Sequence, residues 1–281
     1  MNELKLAVVQ LNSIDDVEQN VDQILKTAEE LPGELDLVCL PENALYFRIS
    51  KKQEMPALSL EHPQLERLQK WVDQRKTAMM IGSMPYGKPG DKKRPHNATV
   101  FLRPNEKAEV VYRKIHLFDV DVPGAPPVRE SESFSYGPET AIVEWRGWRL
   151  GLSICYDLRF AELYSYYGRQ NVDAILIPSS FLVPTGKAHW DILLRSRAIE
   201  NQCFVVAAAQ SGEHVSASGE KRHTYGHSMV VGPWGDKWIE LEDDHEWGTT
   251  RLEKSALIEV RARIPMKQHR QQRNWEKGRG S

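Results

Sequence analysis

Three side chains that could do chemistry together stand far apart in this 281-residue chain: a carboxylate at Glu42, an amine at Lys114 and a thiol at Cys155. A carboxylate can move protons, an ammonium can hold developing negative charge, and a thiol can attack a carbonyl carbon. Together they suit acyl transfer through a covalent intermediate. Each comes after an apolar run. Cys155 stands directly after residues 148–154, where Leu150, Leu152 and Ile154 alternate with small or polar residues as in a strand. Residues 158–163 then read as a helix, whose N-terminus would lower the thiol pKa and raise the thiolate fraction. A competing reading stands beside each group. Cysteine is among the most buried residue types, and a carboxylate past a strand end is more often a solvated loop residue.

The three groups could converge if the runs before them are strands of an α/β fold, each group following a strand end. Residues 4–9 are apolar enough for a buried strand. Asp15 and Asp16 open a helical pattern with Val17, Val21, Ile24, Leu25, Ala28 and Leu31 on one face, ended by Pro32-Gly33. Residues 35–40 form a second strand, completing a βα unit that returns to the same sheet. A helix is predicted over 63–77 and a strand over 78–82. Residues 98–102 and 108–112 bracket a hairpin turn and run into Lys114. A long loop comes next, and such loops tend to be functional. Residues 141–145 and 148–154 make a hairpin feeding Cys155. A strand at 174–178, a helix at 187–201, a buried strand at 203–209 and last strands at 229–231 and 256–260 complete an α/β chain. One domain is predicted over 1–265. The polar, basic remainder, 266–281, with Lys267, Arg270, Arg273, Lys277 and Arg279, reads as an exposed tail or edge helix. In α/β sheets catalytic groups gather at the carboxyl ends of strands, where all three candidates fall.

Composition narrows the function. Lys and Arg number 37 against 39 Asp and Glu, a net charge of −2 that gives no support for nucleic-acid or polybasic membrane binding. No apolar run approaches the roughly 20 residues of a membrane span. The first ten residues read as a short strand without the marks of a signal peptide. Three scattered cysteines point to a reducing cytoplasm, and Cys39 and Cys203 read as core. Without secretion, the sequon Asn97-Ala-Thr99 carries no meaning. His223 and His227 lack companions at metal-ligand spacing, and neither GxGxxG nor a P-loop occurs, so no metal and no cofactor are expected.

The words around the three groups, Leu40-Pro-Glu42-Asn, Tyr112-Arg-Lys114-Ile-His-Leu-Phe-Asp119 and Ser153-Ile-Cys155-Tyr-Asp-Leu-Arg159, resemble the nitrilase, or carbon–nitrogen hydrolase, superfamily over about residues 4–275. The resemblance implies a four-layer αββα sandwich, joined as αββα–αββα on dimerisation, and hydrolysis of a non-peptide C–N bond. Cys155 would be the nucleophile, Glu42 the general base and acid, and Lys114 the oxyanion stabiliser together with the backbone N–H of Tyr156. A second glutamate supporting Lys114 falls on Glu130, with Glu132 as the neighbouring alternative. Tyr46, Ser180, Thr185 and His189 are candidate substrate contacts, helix-start packing being the competing reading for His189. His116 reads as a loop stabiliser. Val120-Asp-Val-Pro-Gly124, Arg197-Ala-Ile-Glu-Asn-Gln202 and Tyr225-Gly-His-Ser-Met-Val-Val231 lean towards the Nit branch. Within it, the deaminated-glutathione amidase subgroup is the expectation, with ammonia released from a small ω-amide and a homodimer or higher homo-oligomer as the assembly. ω-Amidase, nitrile or N-carbamoyl hydrolase, and a non-catalytic binding protein of the same fold are the alternatives. Asn43-Ala-Leu-Tyr-Phe47 departs from the subgroup's wording close to the expected pocket.

Overall fold

The computed structural model describes residues 2–50, 53–88, 90, 93–121, 127–242 and 246–271. In chain order, β1 (Glu3–Val9) leads to helix α1 (Val17–Glu30) and β2 (Leu37–Cys39). Asp16 caps α1 by accepting from the Gln19 N–H at 3.0 Å, and Val21, Ile24 and Ala28 bury its inner face. Helix α2 (Pro63–Arg75) has Pro63 at its start, buries Leu65, Leu68, Trp71 and Val72, and ends on a left-handed Lys76. Strands β3 (Ala78–Tyr86), β4 (His96–Leu102) and β5 (Glu109–Arg113) come next, then the short pair β6 (Asp119–Val120) and β7 (Val128–Arg129). The hairpin β8 (Ala141–Trp145) and β9 (Trp148–Leu152) is succeeded by α3 (Ala161–Arg169), β10 (Ala174–Leu176), α4 (Val183–Asn201) and β11 (Phe204–Ala207). A second hairpin, β12 (Ser211–Val215) and β13 (Lys221–Tyr225), stands apart from β14 (Met229–Val231), β15 (Lys237–Glu240) and β16 (Trp247–Glu253). Helices α5 (Lys254–Arg263) and α6 (Met266–Gln271) close the described chain.

Two six-stranded sheets carry the architecture, in the orders β16-β1-β2-β3-β4-β5 and β15-β14-β11-β10-β9-β8. In the first, β1, β2 and β3 are mutually parallel. In the second, β9, β10 and β11 are. Leu4, Leu6, Leu37 and Met80 of one sheet pack against Leu150, Leu152, Leu176 and Val206 of the other. The outer faces are covered by α1 and α2 on one side, through Ile24, Leu68 and Trp71, and by α3 and α4 on the other, through Tyr164, Trp190 and Leu194. The result is the expected αββα sandwich, helix layers outside and two sheets face to face within.

Three local expectations need correcting. Residues 256–260 are not a strand but lie inside α5, and the last strand is β16, immediately before it. Leu257 and Val260, three apart, are buried while Ile258 is 68% exposed, so the apolar cluster has a helical period. Residues 158–163 are not one helix: a 3-10 turn spans Cys155–Arg159, and α3 begins at Ala161. Helix α4 starts at Val183 rather than 187, with Pro184 in its first turn, so Thr185 is already helical. The hairpin β12–β13 had no sequence forecast. Of the basic tail, only the edge helix α6 is described, held by an Arg270 hydrogen bond to the Glu200 carbonyl. Residues 272–281, with Arg273, Lys277 and Arg279, and residues 122–126 of the long loop lie outside the described residues.

One glycine decides how closely the two sheets meet. A Cβ on Gly82 of β3 would fall 2.1 Å from the Leu40 carbonyl oxygen, 2.5 Å from that of Pro41 and 2.4 Å from Pro178 Cβ. The strand ends that carry Glu42 and face Cys155 thus approach through the space a side chain would fill. Gly82→Ala should therefore destabilise the fold by about 1–3 kcal/mol through overpacking, read as a melting temperature several degrees lower. An unchanged melting temperature would show that the seam is looser than this packing.

Candidate active site

Each of the three groups leaves the carboxyl end of a strand at the seam between the sheets. Glu42 lies just past β2, Lys114 directly past β5, and Cys155 just past β9. Glu42 and Lys114 are each 2% exposed and Cys155 is 7% exposed. The Lys114 Nζ lies 2.8 Å from Glu42 Oε1 and 3.0 and 2.9 Å from the two carboxylate oxygens of Glu130. The Cys155 thiol is hydrogen-bonded to the Glu42 carboxylate and to the backbone of Ser180. The structure therefore brings Glu42, Lys114, Glu130 and Cys155 together. Glu132, further along the same 3-10 segment as Glu130, is exposed.

The backbone at the thiol is unusual. Cys155 adopts φ +49°, a left-handed conformation uncommon for a residue with a side chain. Its N–H donates to the Pro178 carbonyl at 2.9 Å. Asp157, with no exposure, holds the turn from the other side. Its carboxylate accepts from the Ile154 N–H at 2.9 Å, the Tyr112 hydroxyl at 2.7 Å and the His116 N–H at 3.0 Å. Tyr112 and His116 flank Lys114, so one carboxylate ties the cysteine turn to the lysine strand. His116 adds a 2.7 Å contact from Nδ1 to Asp157 and stacks on Phe160 with ring centroids 3.6 Å apart. It does the loop-stabilising work expected of it.

The carboxylates are saturated with donors. Asn97 Nδ2 donates to both Glu42 and Glu130 at 3.0 Å, the Ser180 hydroxyl donates to Glu42 Oε2 at 2.6 Å, and the Phe118 N–H donates to Glu130 at 2.6 Å. Gln210 donates to the Glu42 carbonyl at 3.0 Å. Asn97 is 1% exposed, so its sequon is buried in the site. Sequence reasoning missed Asn97, Asp157 and Gln210. Asp157 lies two residues past Cys155 in the motif itself, and Gln210 closes the run Ala207-Ala-Ala-Gln210. No local signal pointed to Asn97.

The other candidate contacts scatter. Ser180 is in the site, but its hydroxyl is engaged by Glu42. Tyr46 is nearly buried, with Asp15 and Arg48 near enough to act on its hydroxyl. The Thr185 hydroxyl bonds to the Leu182 carbonyl within the first turn of α4, and exposed His189 pairs with Arg159 at 3.1 Å. Among the described residues, neither Thr185 nor His189 hydrogen-bonds to Glu42, Lys114 or Cys155. Tyr156 packs its ring between Phe118 and Phe160, and its N–H makes no hydrogen bond among the described residues.

Charge in the seam is strongly coupled. Burial pushes the Glu42 carboxyl up, but the Lys114 ammonium and the bonds from Lys114 and Ser180 outweigh it and hold Glu42 below its ordinary range. Burial and the neighbouring Glu42 charge win at Glu130 against Lys114, leaving it above that range. Burial alone would lower Lys114, yet Glu130 and Glu42 hold it well above its ordinary value. Burial, then the Glu42 carboxylate, pushes the Cys155 thiol well up. The sequence expectation of a helix-lowered thiol pKa is therefore wrong. Cys155 opens a short 3-10 turn rather than a full helix, and a carboxylate is in hydrogen-bond contact with its sulfur. The resting arrangement is a neutral thiol hydrogen-bonded to an ionised carboxylate.

A family model described as carbon-nitrogen hydrolase matches residues 5–259. The chain belongs to the carbon–nitrogen hydrolase family. Two proteins named deaminated glutathione amidase, from Synechocystis and Yersinia enterocolitica, are each 32% identical to this hydrolase. The alignments cover 92% of both chains in the first case, and 96% of this chain and 93% of the relative in the second. The crystal structure of the Caenorhabditis elegans NitFhit protein superposes with a TM-score of 0.81 at 31% identity, over 96% of this chain and 65% of that one. Saccharomyces cerevisiae Nit3, described as a member of branch 10 of the nitrilase superfamily, does so at 0.79 and 26% identity, over 96% and 97%.

A direct test of the electrostatics is the thiolate absorbance of the folded protein. Cys39 and Cys203 are also buried, and burial pushes each thiol up to about 12. The native hydrolase should therefore show no thiolate titration near the free-cysteine value of about 8.5, and the unfolded chain should show all three. A native step near that value, lost in Cys155→Ser, would contradict the assigned resting state.

Proposed function

We propose that this hydrolase is a thiol amidase that cleaves a small ω-amide through a thioester on Cys155, with deaminated glutathione as its substrate. What carries the reading is the meeting of an ionised Glu42, a protonated Cys155 and a charged Lys114 in one buried seam. The substrate assignment is supported by the names of the relatives that align over almost the whole chain.

The chemistry can be written step by step. Glu42 takes the thiol proton as Cys155 Sγ attacks the carbonyl carbon. The oxyanion is held by Lys114 and the free Tyr156 N–H, each such donor being worth about 3 kcal/mol. Lys114 has three N–H groups: one serves Glu42, one lies between the two oxygens of Glu130, and the third is available to the oxyanion. Glu42 then passes its proton to the departing nitrogen, because an amide anion is too poor a leaving group to depart bare. The C–N bond breaks and the thioester remains. That nitrogen leaves as ammonia from a primary amide and as an amine from a substituted one such as deaminated glutathione. Water, deprotonated by Glu42, next attacks the thioester. The acid departs, and the proton returns to the sulfur. Glu130 acts through Lys114, keeping it charged and aimed.

The protein is further proposed to work in the cytoplasm as a homodimer. Three free, buried cysteines fit a reducing compartment. Among the described residues, no helix is long and apolar enough to cross a membrane. Exposed Ile192 and Ile199 on α4, together with Trp234, give the outer layer an apolar face suited to a second copy.

Two measurements test the mechanism. With deaminated glutathione and 2-oxoglutaramate assayed side by side, Cys155→Ala should lose at least about a thousandfold in kcat on either substrate, and ordinary turnover by that variant would end the proposal. The second is the acid limb of kcat/KM. Glu130 is raised and Glu42 lowered, so Glu130 takes up the first proton as pH falls, and the limb should lie above the ordinary glutamate value of about 4.3. Glu130→Gln removes that titration and should shift the limb to lower pH while reducing kcat. A limb that stays in place would separate Glu130 from the reaction.

A further inference from the structure

The hairpin β12–β13 brings a second kind of charge to the rim of the seam. Strand β13 runs beside residues 181–182: Thr224 bridges Leu182, and the Tyr225 N–H donates to the Phe181 carbonyl at 2.9 Å. This places the hairpin next to Ser180, whose hydroxyl holds Glu42. Two residues before Thr224, on the same side of the strand, Arg222 reaches across to the loop that leads away from Glu42. Its Nη1 donates to the Arg48 carbonyl at 2.6 Å, and its guanidinium lies 4.8 Å from the centroid of the Phe47 ring. Phe47 is itself fixed by stacking on His214, with centroids 4.2 Å apart. His214 bonds to the Ser13 carbonyl and to the Thr224 hydroxyl, both at 2.7 Å, and burial brings its pKa down to about 4. The wall behind Arg222 is therefore neutral and rigid.

What Arg222 lacks is an anion. Its single hydrogen bond uses one of five N–H donors, and among the described residues no carboxylate pairs with it. The half-buried guanidinium feels Arg48 as a like charge and Glu42 and Glu130 only at longer range. Buried Arg197, by contrast, donates from all three guanidinium nitrogens, two to the Leu158 carbonyl and one to the Glu200 carboxylate. Partly buried charges are normally paired, so a fixed, unpaired one beside a reaction centre is a binding feature. The charge balance points the same way. Glu42, Lys114 and Glu130 together carry one negative charge, which repels an anionic substrate unless cations stand nearby.

We propose that Arg222, assisted by Arg48, forms a subsite for a free carboxylate of the substrate, so that the enzyme selects ω-amides of acids over neutral amides. This rests on the amidase reading, and it turns that reading into a substrate class. The planar fork of Arg222 would accept the carboxylate side-on, with the Phe47 ring as its floor.

The test uses glutaramate, which has an amide at one end and a carboxylate at the other, and glutaramide, its neutral isostere. Arg222→Gln should lower the ratio of kcat/KM for glutaramate over glutaramide by about tenfold to a hundredfold, with Arg222→Lys recovering part of it. An equal loss on both compounds, or no loss, would assign Arg222 to structure alone. Calorimetric binding of the same two compounds to the Cys155→Ser protein, with and without Arg222→Gln, keeps the subsite testable if neither is turned over. Preference for glutaramate that disappears with Arg222 supports the subsite even should the amidase mechanism fail. Equal binding of both compounds overturns it even should that mechanism stand.

Discussion

The ammonium of Lys114 is the constraint to which the seam answers. Burying one such ion costs several kcal/mol, and the cost is recovered only if its partners are close and themselves hydrogen-bonded. Here both conditions are met: Glu42 and Glu130 lie within 3 Å, and Asn97, Ser180 and the Phe118 N–H occupy the remaining carboxylate lone pairs. Each of these groups comes from a different segment, so the ion pair fixes the relative positions of β2, β4, β5 and the long loop. The sandwich cannot slide at this end without leaving a charge uncompensated. Gly82, where a side chain would collide with the carbonyls of Leu40 and Pro41, gives the approach its room.

The same arrangement decides the state of the sulfur. An ammonium alone beside Cys155 would favour thiolate, but Lys114 is shared between two carboxylates, and one of them faces the thiol. The sulfur therefore stays protonated, with a carboxylate already in hydrogen-bond contact. On the proposed mechanism, such a site trades the standing reactivity of a thiolate for nucleophilicity that appears only when a carbonyl is in place. A neutral, nearly buried thiol also resists the oxidation to which exposed thiolates are prone. The left-handed backbone at Cys155 belongs to this design. It turns the sulfur towards Glu42, while Asp157 and the Pro178 carbonyl hold the turn against relaxation.

Much of this was legible in the residues, for reasons that also explain what was not. Parallel strands buried on both faces read as apolar runs, so β1, β2, β10 and β11 stood out, as β9 did by its alternation, and with them the positions just past their ends. Helices with one apolar stripe, α1 and α2, were equally plain. Residues 256–260 contain apolar neighbours that fit a strand or a helix, and only packing against the sheet selects Leu257 and Val260 over Ile258. The hairpin β12–β13 is polar along most of its length, with a buried–exposed–exposed–buried–exposed pattern in β12, so no hydrophobic period marked it. Asn97 carries a signal for a surface modification and none for burial. Its role arises from β4 passing between two acids that are 88 residues apart in the chain.

These differences separate two layers of design. Glu42, Lys114 and Cys155 project from strand ends, where the sheet dictates position closely, and the chemistry proposed for them requires nothing of the substrate beyond a carbonyl. Arg222 and Arg48 come from a peripheral hairpin and a loop, and they meet through one backbone hydrogen bond and an aromatic face. A change of one or two residues there would leave the sandwich and those three groups intact while altering the proposed carboxylate subsite. The departure of residues 43–47 from the usual wording, so close to Glu42, sits in this second layer, because Phe47 is the surface against which Arg222 is held. On the proposed subsite, substrate choice in this chain is a property of how the hairpin is fastened to that loop, and the words around Glu42, Lys114 and Cys155, however well they match, carry no information about it.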